Sequence, residues 1–66
     1  MGYNVVLKNG AKEVLNFWVS CFSAAEGAIF EHLARDRRNR ATITDAKNGD
    51  FRSYYFVGDK LNISVF

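Results

Sequence analysis

The stretch YNVVLKNGAKEVLNFWVSCF, Tyr3 to Phe22, decides how this chain is read. Tyr3, Val5 and Leu7 alternate with Asn4, Val6 and Lys8, the period of two that marks a strand with one face buried. A second alternating run follows from about Ala11 to Phe22, with Leu15, Phe17, Val19 and Cys21 on one side and Val14, Asn16, Trp18 and Ser20 on the other. Asn9-Gly10 stands between the runs, and this pair readily takes the left-handed backbone of a hairpin turn. A two-residue loop would set Val5 opposite Val14 and leave Leu15 and Phe17 on the face away from Leu7. A three-residue loop, Lys8-Asn9-Gly10 with a glycine bulge, pairs Leu7 with Ala11 and Tyr3 with Leu15. That register gathers the strong hydrophobes on one face and is the one expected.

Beyond the hairpin, Ser23-Ala-Ala-Glu26 has the form of a capping box, in which the Ser23 hydroxyl and the Glu26 carboxylate each accept from the other residue's amide. It predicts a helix over about 24–38. Ala25, Ile29 and Leu33 recur at four-residue intervals with Phe30 beside them, forming one apolar stripe. Arg35, Arg37, Arg38 and Arg40 crowd the carboxyl end, where cations complement the helix dipole. Gly27 weakens the helix by up to about 1 kcal/mol relative to alanine, a cost that a close approach to the sheet would explain. Three more strands are expected, at about 41–45, 51–57 and 60–66, with Asn48-Gly49 and Gly58-Asp59 as two-residue turns. Those turns set Ile43 opposite Tyr54, Tyr54 opposite Ile63 and Phe56 opposite Leu61, with Asp45 paired to Arg52 across the hairpin.

The fold class is α+β in the order β-β-α-β-β-β, one helix packed on one face of an antiparallel or mixed five-stranded sheet, in a single domain 1–66. The expected core is Tyr3, Val5, Leu7, Leu15, Phe17, Val19, Ala25, Ile29, Leu33, Ile43, Tyr54, Phe56, Leu61, Ile63 and Val65. The spatial order of the strands stays open. A 66-residue chain buries only about 60% of its unfolded surface. Its 48% apolar and 15% aromatic content compensates and rules out a disordered segment.

Nine Lys and Arg against seven Asp and Glu give a formal charge of +2, which neither demands a nucleic-acid partner nor suits an acidic mimic of one. One cysteine, Cys21, forms no internal disulfide, so a reducing cytoplasm is expected. No leader-like segment and no apolar run of about 18–20 residues is present, so neither secretion nor a membrane span is expected.

Candidate chemistry is sparse. Cys21 and the single histidine, His32, would serve as nucleophile and base only within hydrogen-bond reach of each other. No Cys and His spacing matches a zinc ligand set, and no glycine-rich loop precedes the helix, so no metal, cofactor or small-molecule substrate is expected. Two features point to binding instead. Arg35, Arg37, Arg38 and Arg40, with Arg52 in the next hairpin, have the chemistry to clamp phosphates or an acidic protein surface. Val14, Trp18, Phe51, Tyr55 and Phe66 fall on the sheet face away from the helix, and one helix cannot cover both faces.

The leading expectation is therefore a non-catalytic protein that binds another protein, or itself, through an open aromatic sheet face. In size and element order the chain is broadly similar to small phage-encoded inhibitors of host machinery, anti-CRISPR proteins and RNA polymerase inhibitors among them. The alternative is a single-stranded nucleic-acid binder that stacks bases on Trp18 and Tyr55 and holds phosphates with the Arg35–Arg40 cluster and Arg52.

Overall fold

The alternation at the start of the chain becomes strand β1 (Tyr3–Asn9), followed by β2 (Lys12–Val19), helix α1 (Phe22–Arg35), β3 (Asn39–Asp45), β4 (Phe51–Val57) and β5 (Lys60–Val65). The structure is a computed structural model that describes residues 2–65. All strand pairings are antiparallel, and the sheet order is β2-β1-β3-β4-β5. The helix thus leaves β2 at one edge, passes over β1 and enters β3. Among the described residues no helix is long and apolar enough to cross a membrane.

The face assignment of the first hairpin is as expected, but its register is not. Asn9 faces Lys12 and Lys8 faces Glu13, so the loop is the two-residue turn Gly10-Ala11. The register then shifts, so that Leu7 faces Leu15, Val5 faces Phe17 and Tyr3 faces Val19. Val14 is the extra residue, and the bulge lies inside β2 rather than at Gly10. A tight turn plus an internal bulge restores the same parity as a wider loop while lengthening the paired ladder. Gly10 permits the tight turn by adopting φ 63°.

The second correction concerns β3 and β4. Their loop is Ala46-Lys47-Asn48-Gly49, closed by the Asp45 amide donating to the Asp50 carbonyl and the Gly49 amide to the Asp45 carbonyl, both at 2.8 Å. Ile43 consequently faces Arg52, and Tyr54 faces Ala41. The slip is two residues, so every side chain keeps its face. The wider loop is held by its own polar side chains: Asp45 Oδ1 accepts from the Lys47 amide and Asn48 Oδ1 from the Asp50 amide. The Asp45 carboxylate thereby bonds its own loop, and Arg52 stands opposite Ile43 instead. Gly58-Asp59 is the two-residue turn its sequence predicts, with Val57 opposite Lys60.

The helix starts and stops earlier than the capping box suggests. Cys21 is the N-cap, without a side-chain capping bond, and its carbonyl accepts from the Ala25 amide. Glu26 does not reach back to Ser23; its Oε2 accepts from the Tyr54 hydroxyl at 2.9 Å. At the other end Asp36 is extended, and its Oδ1 accepts from the Arg38 amide, turning the chain into β3. Arg37, Arg38 and Arg40 therefore lie on that turn and on β3, not on the helix. The turn is fastened by Asn39, which is buried and donates to the His32 carbonyl while accepting from Asn9.

Val5, Leu7, Ala25, Ile29, Leu33, Ala41, Ile43 and Tyr54 are buried. Tyr3, Leu15, Phe17, Val19, Phe22, Phe56 and Leu61 pack against them half-buried. Ile63 and Val65, expected in the core, are exposed. The reason is width. A helix with its side chains is about 10–12 Å across, whereas five strands at about 4.8 Å spacing span roughly 19 Å between the outer axes.

Candidate interaction surface

Because α1 lies over β2, β1 and β3 and reaches only as far as Tyr54 of β4, the outer strand β5 is left at the uncovered flank of the same face. Leu61, Ile63 and Val65 point there by strict alternation, opposite Phe56, Tyr54 and Arg52. Ile63 is 48% exposed and Val65 67%. Phe30, on the near flank of the helix, is 41% exposed and meets the buried Tyr54 ring edge-on, with centroids 5.9 Å apart. Toward the start of α1, beside Val65, lies a cavity of about 340 Å³ lined by Tyr3, Phe22, Ile43, Asp45, Asp50, Phe51 and Arg52. Phe22 holds that end rigid, with Tyr3 edge-on at 5.5 Å and the Arg52 guanidinium 4.8 Å above its ring. Burial, and then the Glu26 carboxylate, push the Tyr54 hydroxyl above its ordinary pKa, so it stays a hydrogen-bond donor.

The opposite, open face is more polar than its aromatics suggest. Trp18, Asn4, Thr44 and Phe51 form one cross-strand row, and Asn16, Val6, Thr42, Ser53 and Ser64 the next. Lys8, Arg40, Tyr55 and Asn62 share a third row around a shallow groove of about 420 Å³. Trp18 is 64% exposed and leans against Gly2, whose missing Cβ would stand 3.5 Å from the indole. Tyr55 is half-buried, bonded to Ser64, and lies under the Arg40 guanidinium at 5.0 Å. Trp18 and Tyr55 are separated by three strand spacings and four residues, about 19 Å. Val14 sits on the bulge, and Phe66 lies outside the described residues. The four described candidates, Val14, Trp18, Phe51 and Tyr55, are thus spread over a hydroxyl-rich surface.

The arginines are likewise not brought together. Arg35 bonds Glu31 at 2.8 Å, Arg38 bonds Asp36 at 3.1 Å, and Arg37 pairs with Asp59 while lying 5.3 Å from the Phe56 ring. Arg37 and Arg40 lie on opposite faces of β4, and Arg52 stands at the far end of the helix-bearing face. The Arg38 guanidinium holds the Asp36 carboxyl below the usual carboxylate range.

Cys21 and His32 stand at opposite ends of α1, about 16 Å apart along its axis. They do not form a nucleophile–base pair. The Cys21 thiol is exposed and its pKa lowered, first by the Ser23 hydroxyl at 3.0 Å and then by the amides of Ala24 and Ser23. Among the described residues no three His, Cys, Asp or Glu side chains gather as a metal site. The chain matches no known family model, no curated protein and no solved structure.

Alternation in the sequence did not reveal the exposed β5 flank, because it tells faces apart but not how far one helix reaches across the strands. It also missed Asn39, whose isolated polar side chain gives no periodic signal.

Proposed function

We propose that this chain is a non-catalytic interaction protein that binds a protein partner along the exposed β5 flank of its helix-bearing face. The observation that carries this reading is the exposure of Ile63 and Val65, aliphatic side chains aligned with the core and left without a layer above them. Exposed aliphatic side chains beside a formed cavity are the usual character of a docking surface. Phe30 and Phe22 supply aromatic surface beside it, of the kind that contributes strongly at interfaces. Action inside the cytoplasm fits an exposed free thiol at Cys21. Inhibition of another machine by occupying its surface, as small phage proteins do, is one use of such a module.

A photo-crosslinking residue at Val65 tests the reading, with the same residue at Lys12 on the opposite edge as the control. Adducts with a protein, whether a second copy or another chain, are expected at position 65 in excess of those at position 12. Equal yields at both positions would overturn the assignment of this surface.

Single-stranded nucleic acid is the second reading, favoured by one observation: Lys8, Arg40 and Tyr55 share a row around the groove on the open face. Binding there would weaken steeply with salt and would be lost in Arg40→Ala. Unchanged Trp18 and tyrosine fluorescence on titration with oligonucleotide at low salt removes it.

A further inference from the structure

β5 is the outermost strand on that side of the sheet, and the direction of its backbone groups can be assigned. Across the β3–β4 hairpin the Asp45 amide donates to the Asp50 carbonyl. Alternation then turns the backbone of Arg52 and Tyr54 toward β3, and that of Ser53, Tyr55 and Val57 toward β5. Their partners on β5 are Ser64, Asn62 and Lys60. The amides and carbonyls of Leu61, Ile63 and Val65 therefore point outward, away from the sheet.

The two outer strands are built differently. β2 carries Lys12 and Glu13 at its start and a register shift at Val14, the devices by which an edge resists a further strand. β5 starts with one charge, Lys60, and from Leu61 to Val65 it has no charge, no proline and no register shift. Its side chains alternate apolar, polar, apolar, polar, apolar, a pattern that reads the same in both directions about Ile63.

We propose that β5 pairs antiparallel with β5 of a second copy of this chain, Ile63 facing itself on a two-fold axis. This rests on the reading of the β5 flank as the contact surface and names its occupant. In that register Leu61 of each copy faces Val65 of the other on the helix-bearing face, and Asn62 faces Ser64 on the open face. A two-fold axis requires such self-complementarity of a strand that pairs with itself, whereas a strand of different sequence places no such demand. The segment is neutral, so pairing sets no like charges opposite one another. Leu61 of the second copy comes to rest beside Val65, at the rim of the cavity that Phe22 and Tyr3 line. The outward amides and carbonyls of Leu61, Ile63 and Val65 all gain partners, and the two sheets become one.

The test is specific to register. Asn62 and Ser64 of opposite copies would form a non-hydrogen-bonded pair with Cα atoms about 4.5 Å apart, within reach of a disulfide. In a Cys21→Ser background, Asn62→Cys and Ser64→Cys chains are prepared separately, then mixed and oxidised. A mixed 62–64 disulfide is expected to exceed the 62–62 and 64–64 products severalfold. Sedimentation of the unmodified chain should show twice the 7.5 kDa monomer mass, falling on dilution. Ile63→Lys should remain monomeric with an unchanged far-ultraviolet spectrum, because Ile63 supports little of the fold. Twice the monomer mass with no preference for the 62–64 product overturns this register. A monomer at every concentration whose crosslinker at Val65 captures a different protein overturns the second copy and leaves the contact surface standing. A monomer with no preferential capture at Val65 overturns both.

Discussion

Two parts of one sheet face carry the same sequence pattern and meet opposite fates. Under α1, Val5, Leu7, Ala41 and Ile43 lose almost all contact with water. Beyond it, Leu61, Ile63 and Val65 alternate just as regularly, yet two of the three remain exposed. What separates them is position relative to a single helix, not hydrophobicity or strand propensity. Alternation states which face a side chain joins; whether that face is covered depends on how many strands the helix can span.

This contrast can be broken most directly by equal truncations on its two sides. Leu7→Ala, beneath the helix, is expected to cost about 2–5 kcal/mol through lost burial and a residual cavity. Ile63→Ala on β5 should stay below about 1 kcal/mol, since surface changes alter stability little. Chemical denaturation of the two variants checks this, and equal losses would mean that β5 is covered after all.

Asn39→Leu comes next, at about 1–3 kcal/mol, because it removes one of the two bonds made by the His32 carbonyl and one of the two made by the Asn9 amide group, leaving each with Asp36 alone. The loss should appear as a lower thermal midpoint with the strands' spectrum retained below it. Tyr54→Phe follows, at about 1 kcal/mol for one hydrogen bond to Glu26. It also carries a pH signature. The Tyr54 pKa is raised in the folded state above its ordinary value of 10.0. Its contribution is therefore complete below about pH 10 and is lost as pH rises through the higher folded value. The phenylalanine variant should show a shallower alkaline decline in stability than the parent.

Smallest, and opposite in sign, is Gly27→Ala. A Cβ at Gly27 meets nothing within 4 Å, so no close approach to the sheet requires glycine there. The substitution should stabilise the helix by up to about 1 kcal/mol, seen as a raised denaturation midpoint.

Element order, the all-helix-side placement of the hydrophobes and the Gly58-Asp59 turn were legible because each rests on local periodicity or turn chemistry. Register was harder to read. For β1–β2 and for β3–β4, several combinations of loop length and bulge give the same parity, and the choice fell to details such as the Asp45 and Asn48 side chains bonding their own loop. The helix start was misplaced because Ser23-Ala-Ala-Glu26 satisfies a capping pattern while Tyr54, distant in sequence, competes for the same carboxylate. The spacing of the open-face candidates was illegible for a related reason. Trp18 and Tyr55 share a face by parity, but strand order, which parity does not encode, sets them about 19 Å apart.

The strand order has a further consequence, for synthesis. A growing chain that has completed β1, β2 and α1 owns a hairpin and a helix but no finished centre, because β1 receives its second neighbour only with residues 39–45. Tyr54, the largest fully buried side chain, arrives later still. Until β4 emerges, Val5, Leu7 and Ile29 have an incomplete shelter, and such intermediates are where nascent chains recruit chaperones or stick to one another. Placing an early strand in the middle of the sheet thus makes the whole molecule wait on its second half.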